Sequence, residues 1–425
     1  MREILEYFGK ITKIPHCSKN AQKLAAFIKE EARRAGCRVR EDDAGNILAQ
    51  KGDPRLCLQA HYDMVCVGKA PEIEIVEKEG YLSAKESTLG ADNGIGVAMA
   101  LHFLHAHNNL EALFTADEEV GLIGASRLSL MPASKRLLNL DSEEEGEIFI
   151  GCAGAVEIYA EKMIQRRPLE ASERLYEISV RDLPGGHSGV DIDKNIPNAI
   201  KELVALLMPL EIELVSIEGG EADNAIPRHA AAIVASKEEL PAKLEGATIR
   251  ELQKDKRGVM REGKKLLSML HCFAHGVRAY DTKMEIVLTS INLAMIRTKE
   301  ESLEVTLFPR SMENLLLERI RSETAACFEA QGFELHYAHP SPAWRPEITP
   351  FAKEVLEVTK EAFPNASFKA IHAGLECGVI HDRFPHLEAV SIGPNIDNPH
   401  SLRERVEIAS VERVARIVER LLQRL

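Results

Sequence analysis

The sequence predicts an α/β protein with a mixed, mainly parallel β-sheet flanked by helices, and with an inserted α+β domain. Early in the chain, apolar strand patterns alternate with helical patterns, which is typical of a parallel sheet covered by helices. This alternation gives way to groups of strands and helices near residue 170, and it returns after the proline-rich segment 339–350. We therefore predict a first domain made of residues 1–170 and 344–425, and an inserted domain at 171–343.

The elements of the first domain follow from the spacing of apolar residues. Recurrence every three to four positions predicts a helix, and a short apolar run bounded by turn residues predicts a buried strand. In chain order these rules predict a helix at 21–35, a strand at 55–60, a helix at 94–107, a strand at 111–116, a helix at 121–128 and a strand at 136–140. Beyond the inserted domain they predict a helix at 351–363, a strand at 387–393 and a terminal helix from Ser410.

The inserted domain shows two groups of similar make-up, which suggests a loose internal duplication without a residue-level repeat. Its predicted elements are strands at 175–180, 212–217 and 231–236 with a helix at 198–208, then strands at 283–290 and 302–308 with a helix at 312–331.

Composition excludes several classes of function. The chain has 425 residues and a net charge of −13, from 66 acidic and 53 basic side chains, which disfavours nucleic acid and anionic membrane surfaces as partners. No stretch approaches the roughly 18 apolar residues of a membrane span, and the first residues lack the apolar core of a signal peptide. Eight cysteines without a C-x-x-C pair argue against a zinc ribbon and a disulfide framework, and they predict a reducing cytoplasm.

Acidic and histidine residues follow several of the predicted strands, where ligands gather in parallel sheets. Two imidazoles and three or more carboxylates form a set suited to a pair of divalent metal ions. Each residue also has a plainer explanation, as a satisfied polar histidine, a helix cap at Asp92 or a solvated acidic turn. Their coincidence favours the metal site, whose candidate residues are His61, Asp63, Asp92, Glu118, Glu119, Asp141 and His400.

The motifs that contain these residues resemble a known family along nearly the whole chain. They are "HYDMV", "LGADNGIGVA", "ADEEVGLIGA", "NLDSEEEGEIFIGCAGA", "GGHSGVDI", "NAIPR", "HAGLECG" and "IGPNIDNPHS". Together they resemble the co-catalytic zinc metallopeptidase family that includes aminoacylases and carboxypeptidase G. Within it, the aminoacyl-histidine dipeptidases, also called Xaa-His dipeptidases or peptidase D, are the most similar group.

The resemblance implies a role for each candidate. Asp92 would bridge two metal ions, most simply zinc, with manganese or cobalt as alternatives. The other ligands would be His61 and Asp141 on one ion, and Glu119 and His400 on the other. Glu118 would be the general base that activates a metal-bridging water, and Asp63 would orient the His61 imidazole. Asp117 is expected to be a cap or a solvated side chain.

Substrate contacts are predicted mainly in the inserted domain, which the resemblance implies to be a lid that also pairs two subunits in a homodimer. His187 would stabilise the oxyanion, its plainer explanation being a turn histidine. Arg310 would bind a terminal carboxylate, unless it is a surface arginine. Asn224 would hold the substrate backbone. Glu376 would meet a free α-ammonium group, unless it is a buried structural carboxylate.

The predicted activity is metal-dependent hydrolysis of the peptide bond of unblocked dipeptides, with Xaa-His dipeptides among them, so the partner is a small peptide. The alternative within the same fold is an amidohydrolase that removes an acyl group from an N-acylated amino acid. A non-catalytic binding protein is disfavoured because Glu118 and every candidate metal ligand are present.

Overall fold

A computed structural model describes residues 2–254 and 256–425 of the chain. The described residues fall into two compact units, each with its own hydrophobic core. The first unit contains residues up to Cys152, Trp344–Ala370 and Leu375–Leu425, and the second contains Ala153–Ala343 and Ile371–Gly374.

The helices of this described part are α1 (Arg2–Ile11), α2 (Gln22–Arg34), α3 (Ala91–Ala106), α4 (Ile123–Ser126), α5 (Ala199–Leu207), α6 (Gly263–Cys272), α7 (Asn314–Glu329), α8 (Pro350–Ala362), α9 (Glu376–Arg383) and α10 (Ile408–Arg424). Within the same residues, none of these helices is both long enough and apolar enough to cross a membrane.

The strands of the described residues are β1 (Arg38–Glu41), β2 (Ile47–Lys51), β3 (Cys57–His61), β4 (Ile75–Lys78), β5 (Tyr81–Ala84), β6 (Leu110–Thr115), β7 (Arg136–Asn139), β8 (Glu147–Cys152), β9 (Gly154–Met163), β10 (Arg166–Arg167), β11 (Arg174–Val180), β12 (Gly186–His187), β13 (Glu213–Gly219), β14 (Ala225–Ile226), β15 (Ala230–Ser236), β16 (Thr248–Leu252), β17 (Val259–Met260), β18 (Gly276–Asp281), β19 (Ile286–Thr298), β20 (Ser302–Ser311), β21 (Glu334–Ser341), β22 (Ser367–Ile371), β23 (Glu388–Ser391), β24 (Ile396–Asp397) and β25 (Arg405–Glu407).

The first unit is organised by a mixed sheet whose strand order is β1-β2-β6-β3-β7-β23-β8-β22. Its centre is parallel, because β3 pairs in parallel with β6 and with β7, and β7 pairs in parallel with β23. The pairs that flank this centre, β1 with β2, β2 with β6 and β23 with β8, are antiparallel. The predicted α/β class with helices around a mixed sheet is therefore confirmed.

Burial explains why these strands and helices form. Every residue of β3 and β6 is buried, as expected for central strands covered on both faces. Helix α3 is apolar nearly all round and is also largely buried. Gly94 on this helix allows α1 to approach, since a Cβ there would lie 3.2 Å from the Phe8 ring.

The second unit is built on a nine-stranded sheet of order β16-β11-β15-β13-β19-β20-β9-β21, with β18 also paired to β19. The long strands β19 and β20 pair antiparallel, and β20 pairs antiparallel with β9. Helices α5, α6 and α7 contribute buried apolar residues to the core of this unit. The inserted region is thus α+β, as the fold class predicted.

The limits of the second unit differ from the predicted boundaries of the inserted domain. The unit begins at Ala153 rather than near residue 170, because β9 pairs with both β20 and β21. It also includes Ile371–Gly374, whose backbone binds to its first residue: the Ala153 N–H donates to the carbonyls of Ile371 and Ala373, at 3.0 and 3.1 Å. The lid and dimerisation roles of this region stay predictions.

The predicted helix at 121–128 is mostly loop. Only Ile123–Ser126 is helical, because Asp117, Gly121 and Leu122 have positive φ angles of 50°, 105° and 57° that an α-helix does not allow. The apolar spacing that predicted the helix reflects a loop that is partly buried, with Gly124 and Ala125 fully covered.

The cysteines also depart from expectation, because Cys17 and Cys66 form a disulfide with their Cα atoms 5.5 Å apart. Cys17 forms a parallel bridge with Met64, and this backbone contact brings together the two cysteines, which are 49 residues apart in sequence. A single bridge is not a disulfide framework, but it is unexpected for the reducing cytoplasm that the cysteine pattern predicts. The other six cysteines are free.

The core of the second unit gives a first prediction. Phe328 on α7 is fully buried, and its ring packs edge-on against Phe273 and Phe333, with centroids 5.5 and 5.2 Å away. Replacing it by alanine should lower the free energy of unfolding by about 3–5 kcal/mol, because a large side chain is lost and a cavity remains. Urea unfolding of the F328A variant measures this change.

The matched control lies on the same helix. Leu315 is 78% exposed, so Leu315→Ala should change the free energy of unfolding by no more than about 0.5 kcal/mol. Equal destabilisation by the two substitutions would contradict the assigned core.

Candidate active site

Three neighbouring parallel strands bring most of the candidate ligands together in the first unit. His61 is the last residue of β3, Glu118 and Glu119 follow β6, and Asp141 follows β7. Because β6, β3 and β7 are adjacent, with His61 paired to Thr115 in register, their carboxyl ends lie side by side. Two further residues join them from outside these strands, Asp92 at the start of α3 and His400 in the loop between β24 and β25.

The His61 imidazole is buried and faces two carboxylates. Its Nε2 lies 3.1 Å from Asp92 Oδ1 and 3.5 Å from Asp141 Oδ1. Its Nδ1 lies 3.0 Å from the backbone carbonyl of Asp63, which is closer than the carboxylate of the same residue at 3.6 Å. An Nδ1–H that donates to this carbonyl leaves Nε2 as the nitrogen able to bind a metal.

Asp92 lies between the two histidines. Its Oδ2 is 3.0 Å from His400 Nε2, and the same nitrogen is 2.9 Å from Glu119 Oε2. Asp92 thus offers one oxygen to each histidine. Asp92 belongs to two sets of three possible metal ligands. One set is His61, Asp92 and Asp141, and the other is Asp92, Glu119 and His400. Within each set, the ligand atoms lie within 4.8 Å of one another. A third set joins His61 to Glu118 and Glu119.

Asp63 connects two of the loops. Its carboxylate accepts the backbone N–H groups of Glu118 at 2.9 Å and of Glu119 at 3.3 Å. These bonds fix the turn that carries both glutamates. Asp117, which precedes them, accepts the backbone N–H of Lys19 at 2.5 Å through Oδ1, so it anchors the 16–19 segment and does not join the cluster.

Asn93 supports Asp141 and was missed in the sequence. Its Nδ2 donates to the Leu140 carbonyl at 2.7 Å and to Asp141 Oδ1. Asp92 and Asn93 have non-helical φ/ψ angles inside the first turn of α3, which turns both side chains toward the cluster. Asn93 is part of the "ADNG" motif. Its hydrogen bond to Asp141, 48 positions away, could not be predicted from the neighbouring residues in the sequence.

Burial has the largest effect on the pKa values of the acidic groups in the cluster. It raises the pKa of Glu118 well above its ordinary value, and it raises the pKa values of Glu119 and Asp141. Burial acts on Asp92 in the same direction, but hydrogen bonds with His400 and His61 outweigh it and lower the pKa of Asp92. Burial, with Asp92 next, also raises the pKa of Glu143 to about 8, so this part of the acidic 141–145 run is not a simple solvated turn.

The histidines are perturbed by the same carboxylates. Burial alone would lower the pKa of His61, yet Asp141, Asp63 and Asp92 together raise it well above the ordinary value. Hydrogen bonds to Asp92 and Glu119 raise the pKa of His400 to about 11. In the metal-free protein these carboxylates therefore favour the protonated form of both imidazoles.

Glu376, the predicted partner of an α-ammonium group, begins α9 and is 2% exposed. Its Oε2 accepts hydrogen bonds from Gln59 Nε2 at 2.6 Å and Thr115 Oγ1 at 2.8 Å, while Oε1 is buried without a partner among the described residues. Burial raises its pKa to about 7. The burial agrees with the structural carboxylate that stood as its alternative, and the α-ammonium role stays a prediction.

Arg310, on β20 of the second unit, is 5% exposed, so its alternative as a surface arginine is excluded. Its guanidinium stacks on the Phe308 ring, 4.4 Å from the centroid. Burial lowers its pKa to about 10, against the opposing effect of Asp223. The Nε atom has no hydrogen-bond partner among the described residues.

His187 lies at the short strand β12 of the second unit. Its Nδ1 accepts the backbone N–H groups of Gly189 and Val190 at 3.1 and 3.2 Å, which places the proton of the neutral ring on Nε2. Burial and the nearby Arg310 lower the pKa of His187 to about 4. A neutral ring with an Nε2–H donor is what the predicted oxyanion role requires, and that role stays a prediction.

Asn224 and His372 of the second unit differ in their burial. Asn224 is exposed, and its carbonyl accepts the Ser188 N–H at 2.8 Å, so its predicted substrate contact stays a prediction. His372, which the sequence analysis did not single out, is 4% exposed with Nε2 2.8 Å from Ser290 Oγ. The only feature of the sequence that pointed to His372 was its position within the "HAGLECG" motif.

The sequence of this chain is similar to those of known peptidases. A model described as "Peptidase family M20/M25/M40" matches residues 57–424, which is most of the chain. This chain belongs to that peptidase family. The cytosol non-specific dipeptidase of Escherichia coli strain K12 is 31% identical over 455 aligned positions, which cover 96% of this chain and 94% of the relative.

Solved structures place this peptidase in the same family fold. The aminoacylhistidine dipeptidase of Vibrio alginolyticus superposes with a TM-score of 0.87 at 29% identity, covering 100% of this chain and 96% of that one. Human carnosine dipeptidase 1 gives a TM-score of 0.55 at 15% identity, covering 99% of this chain and 97% of that one, and indicates a shared fold alone.

The donor atoms of this peptidase fit a pair of divalent cations. Imidazole nitrogen and carboxylate oxygen are the ligands that zinc, manganese and cobalt accept in proteins. Two donor sets that share one carboxylate suit two ions, whose charge would offset acidic groups that the protein buries. The residues present are thus chemically suited to a dinuclear centre.

The His400 pKa predicts a pH-dependent stability of the metal-free peptidase. The pKa is about 11 in the folded protein against an ordinary 6.5, so the stabilising pairing is complete below about pH 6.5 and declines as pH rises toward about 11. We expect the difference in free energy of unfolding between wild type and His400→Gln to be largest near pH 6. Urea unfolding of chelator-treated protein at several pH values measures it, and a difference that grows with pH would contradict the pairing.

Proposed function

We propose that this chain is a two-metal dipeptidase that hydrolyses the peptide bond of unblocked dipeptides. The observation that carries the proposal is the sharing of Asp92 between two three-donor sets, with Glu118 beside them. The named activities of the E. coli and V. alginolyticus relatives, a non-specific dipeptidase and an aminoacylhistidine dipeptidase, support the same reaction. Xaa-His dipeptides are included in the proposed substrates.

In this proposal the ligand roles follow the two donor sets. His61 and Asp141 hold one ion, Glu119 and His400 hold the other, and Asp92 bridges both, with zinc as the first candidate and manganese or cobalt as alternatives. When bound, such ions lower the pKa of water toward about 7 and polarise a carbonyl oxygen. Asp63 supports the site by holding the backbone of Glu118 and Glu119 and by accepting from His61 through its carbonyl.

Glu118 is the proposed general base. Its backbone N–H is held by Asp63, which fixes the origin of the side chain, while its carboxylate makes no hydrogen bond to the described residues that would occupy it. The carboxylate would accept a proton from the attacking water and deliver that proton to the nitrogen of the leaving amine. Because burial raises the pKa of Glu118, its ionised carboxylate is a stronger proton acceptor than an exposed glutamate.

Residues of the second unit are proposed to bind the ends and the reacting carbonyl of the peptide. Arg310 offers a buried guanidinium with an unpartnered Nε to the terminal carboxylate, and such a buried donor gains most from an anionic partner. His187 offers its Nε2–H to the developing oxyanion, and Asn224 offers an amide to the peptide backbone. Glu376 of the first unit is proposed to meet a free α-ammonium group through Oε1, which is buried and has no partner among the described residues.

A cytoplasmic location and a homodimer are also proposed. The cytosolic relative supports the location, whereas the Cys17–Cys66 disulfide opposes it, because disulfides are rare in that compartment. The dimer is supported by β18, which pairs only with β19 among the described strands and exposes Val277 and Tyr280 at 39% and 46%.

Substrate choice gives the direct test of this function. We expect zinc- or manganese-loaded protein to release amine from Ala-His and other unblocked dipeptides, and we expect a chelator to abolish the release. Cleavage of N-acetyl amino acids alone would contradict the dipeptidase and favour the amidohydrolase alternative. Absence of cleavage from every substrate would contradict both.

Glu118→Gln tests the proposed base in the same assay. The amide cannot accept the proton of water, so kcat on Ala-His should fall by about 10²–10⁴-fold while metal content is kept. Asp117→Asn is the matched control, because the side chain of the adjacent Asp117 accepts the Lys19 N–H and the amide oxygen of asparagine can replace that contact. Full activity of E118Q, or an equal loss in D117N, would contradict the assignment.

A further inference from the structure

Glu404 is a buried carboxylate outside the proposed ligand set. It lies in the loop that leads into β25, and it is 3% exposed. Its Oε2 accepts the backbone N–H groups of Leu89 and Gly90 at 2.7 and 3.2 Å, and its Oε1 accepts those of Ala91 and Asp92 at 2.7 and 3.5 Å. A single carboxylate thus binds four consecutive N–H groups at the turn that carries Asp92.

The sequence explains why those four donors converge. The first N–H groups of a helix have no acceptor within the helix, and α3 begins at Ala91. Gly90 has φ of 71°, a left-handed conformation that curls the preceding N–H groups toward the same point. A Cβ at this position would lie 2.9 Å from Met64 Sδ, so the turn is also closely packed. Buried donors in this geometry require an acceptor, and an ionised one forms the strongest bonds.

The loop that carries Glu404 also carries His400. The Glu404 N–H donates to the Ser401 carbonyl at 3.1 Å, and the Ser401 hydroxyl donates to the Asn398 carbonyl at 2.8 Å. These local hydrogen bonds make the 398–404 loop compact. The Glu404 carboxylate therefore ties the loop of His400 to the turn of Asp92, two segments 308 residues apart whose side chains meet at 3.0 Å.

We propose that Glu404 is a positioning residue that sets the shared carboxylate of Asp92 relative to His400 and thereby determines how tightly the two metal ions bind. The inference rests on the proposed two-metal function. Without the Glu404 carboxylate, the turn of Leu89 to Asp92 keeps its buried N–H groups but loses their acceptor, so it shifts to find others. The Asp92 oxygens then no longer face both histidines together.

Cobalt binding to the full-length protein tests this inference. After chelation, Co²⁺ is added to wild type and to Glu404→Gln, and the visible absorption of bound cobalt reports its coordination while a competing chelator reports its affinity. The amide has one acceptor oxygen and directs an NH2 group at two of the donors. We expect E404Q to bind cobalt at least about tenfold more weakly, as is typical when a supporting residue of a metal site is lost, with an altered spectrum.

Two further variants separate positioning from general stability. Glu111→Gln is the matched control. Like Glu404, Glu111 is a buried carboxylate that accepts backbone N–H groups, here the two of Ala133 and Ser134, and neither of these residues is a proposed metal ligand. It should keep wild-type cobalt affinity and spectrum. Glu404→Asp keeps a carboxylate but shortens the side chain by one methylene group. The cobalt affinity of this variant should therefore lie between those of wild type and E404Q.

The outcomes are distinct. Wild-type cobalt affinity and spectrum in E404Q, or equal losses in E111Q, would overturn the positioning role. If circular dichroism shows that E404Q does not fold, E404D decides, and wild-type affinity and spectrum in that variant would overturn it. Failure of the wild-type protein to bind cobalt would overturn the proposed function and this inference with it.

Discussion

The main constraint on this structure is the crowding of partly buried acidic groups beside the carboxyl ends of three parallel strands. Asp92, Glu118, Glu119 and Asp141 lie around two imidazoles, and burial raises the pKa of three of the four acids. The charge of such a cluster is relieved by protonation of the acids or by nearby cations. In the metal-free protein both histidines favour the protonated form, and in our proposal two divalent ions take their place.

The surrounding hydrogen bonds fit this constraint. Asp63 holds the backbone of the glutamate turn, Asn93 holds Asp141, and Glu404 holds the turn of Asp92. Each of these contacts binds a segment that carries a cluster residue, so the acidic groups are fixed before any ion arrives. Such support reduces the reorganisation that metal binding would otherwise require.

The fold class and the clustering of the candidate ligands were accessible from the sequence for a physical reason. In a parallel sheet, adjacent strands end at the same edge, so polar residues just past apolar runs are brought together without knowledge of loop structure. His61, Glu119 and Asp141 follow this rule directly. Asp92 and His400 lie outside the parallel strands. The coincidence of acidic and histidine residues grouped them with the others, and the family resemblance implied their individual roles.

What the sequence did not reveal depends on contacts without local pattern. Glu404 binds backbone groups more than 300 positions away, and a backbone N–H carries no residue identity to detect. The Cys17–Cys66 disulfide likewise depends on the pairing of Cys17 with Met64. The helix expected at 121–128 failed because positive φ angles at Gly121 and Leu122 overrode a helical spacing of apolar residues.

The metal content of the purified protein tests the shared-ligand centre, and it is determined by inductively coupled plasma mass spectrometry after dialysis against zinc and removal of the free ion. We predict two ions per chain in the wild type, and fewer than one in Asp92→Asn because the shared ligand serves both ions. No bound ion in the wild type, or two ions retained in D92N, would contradict it.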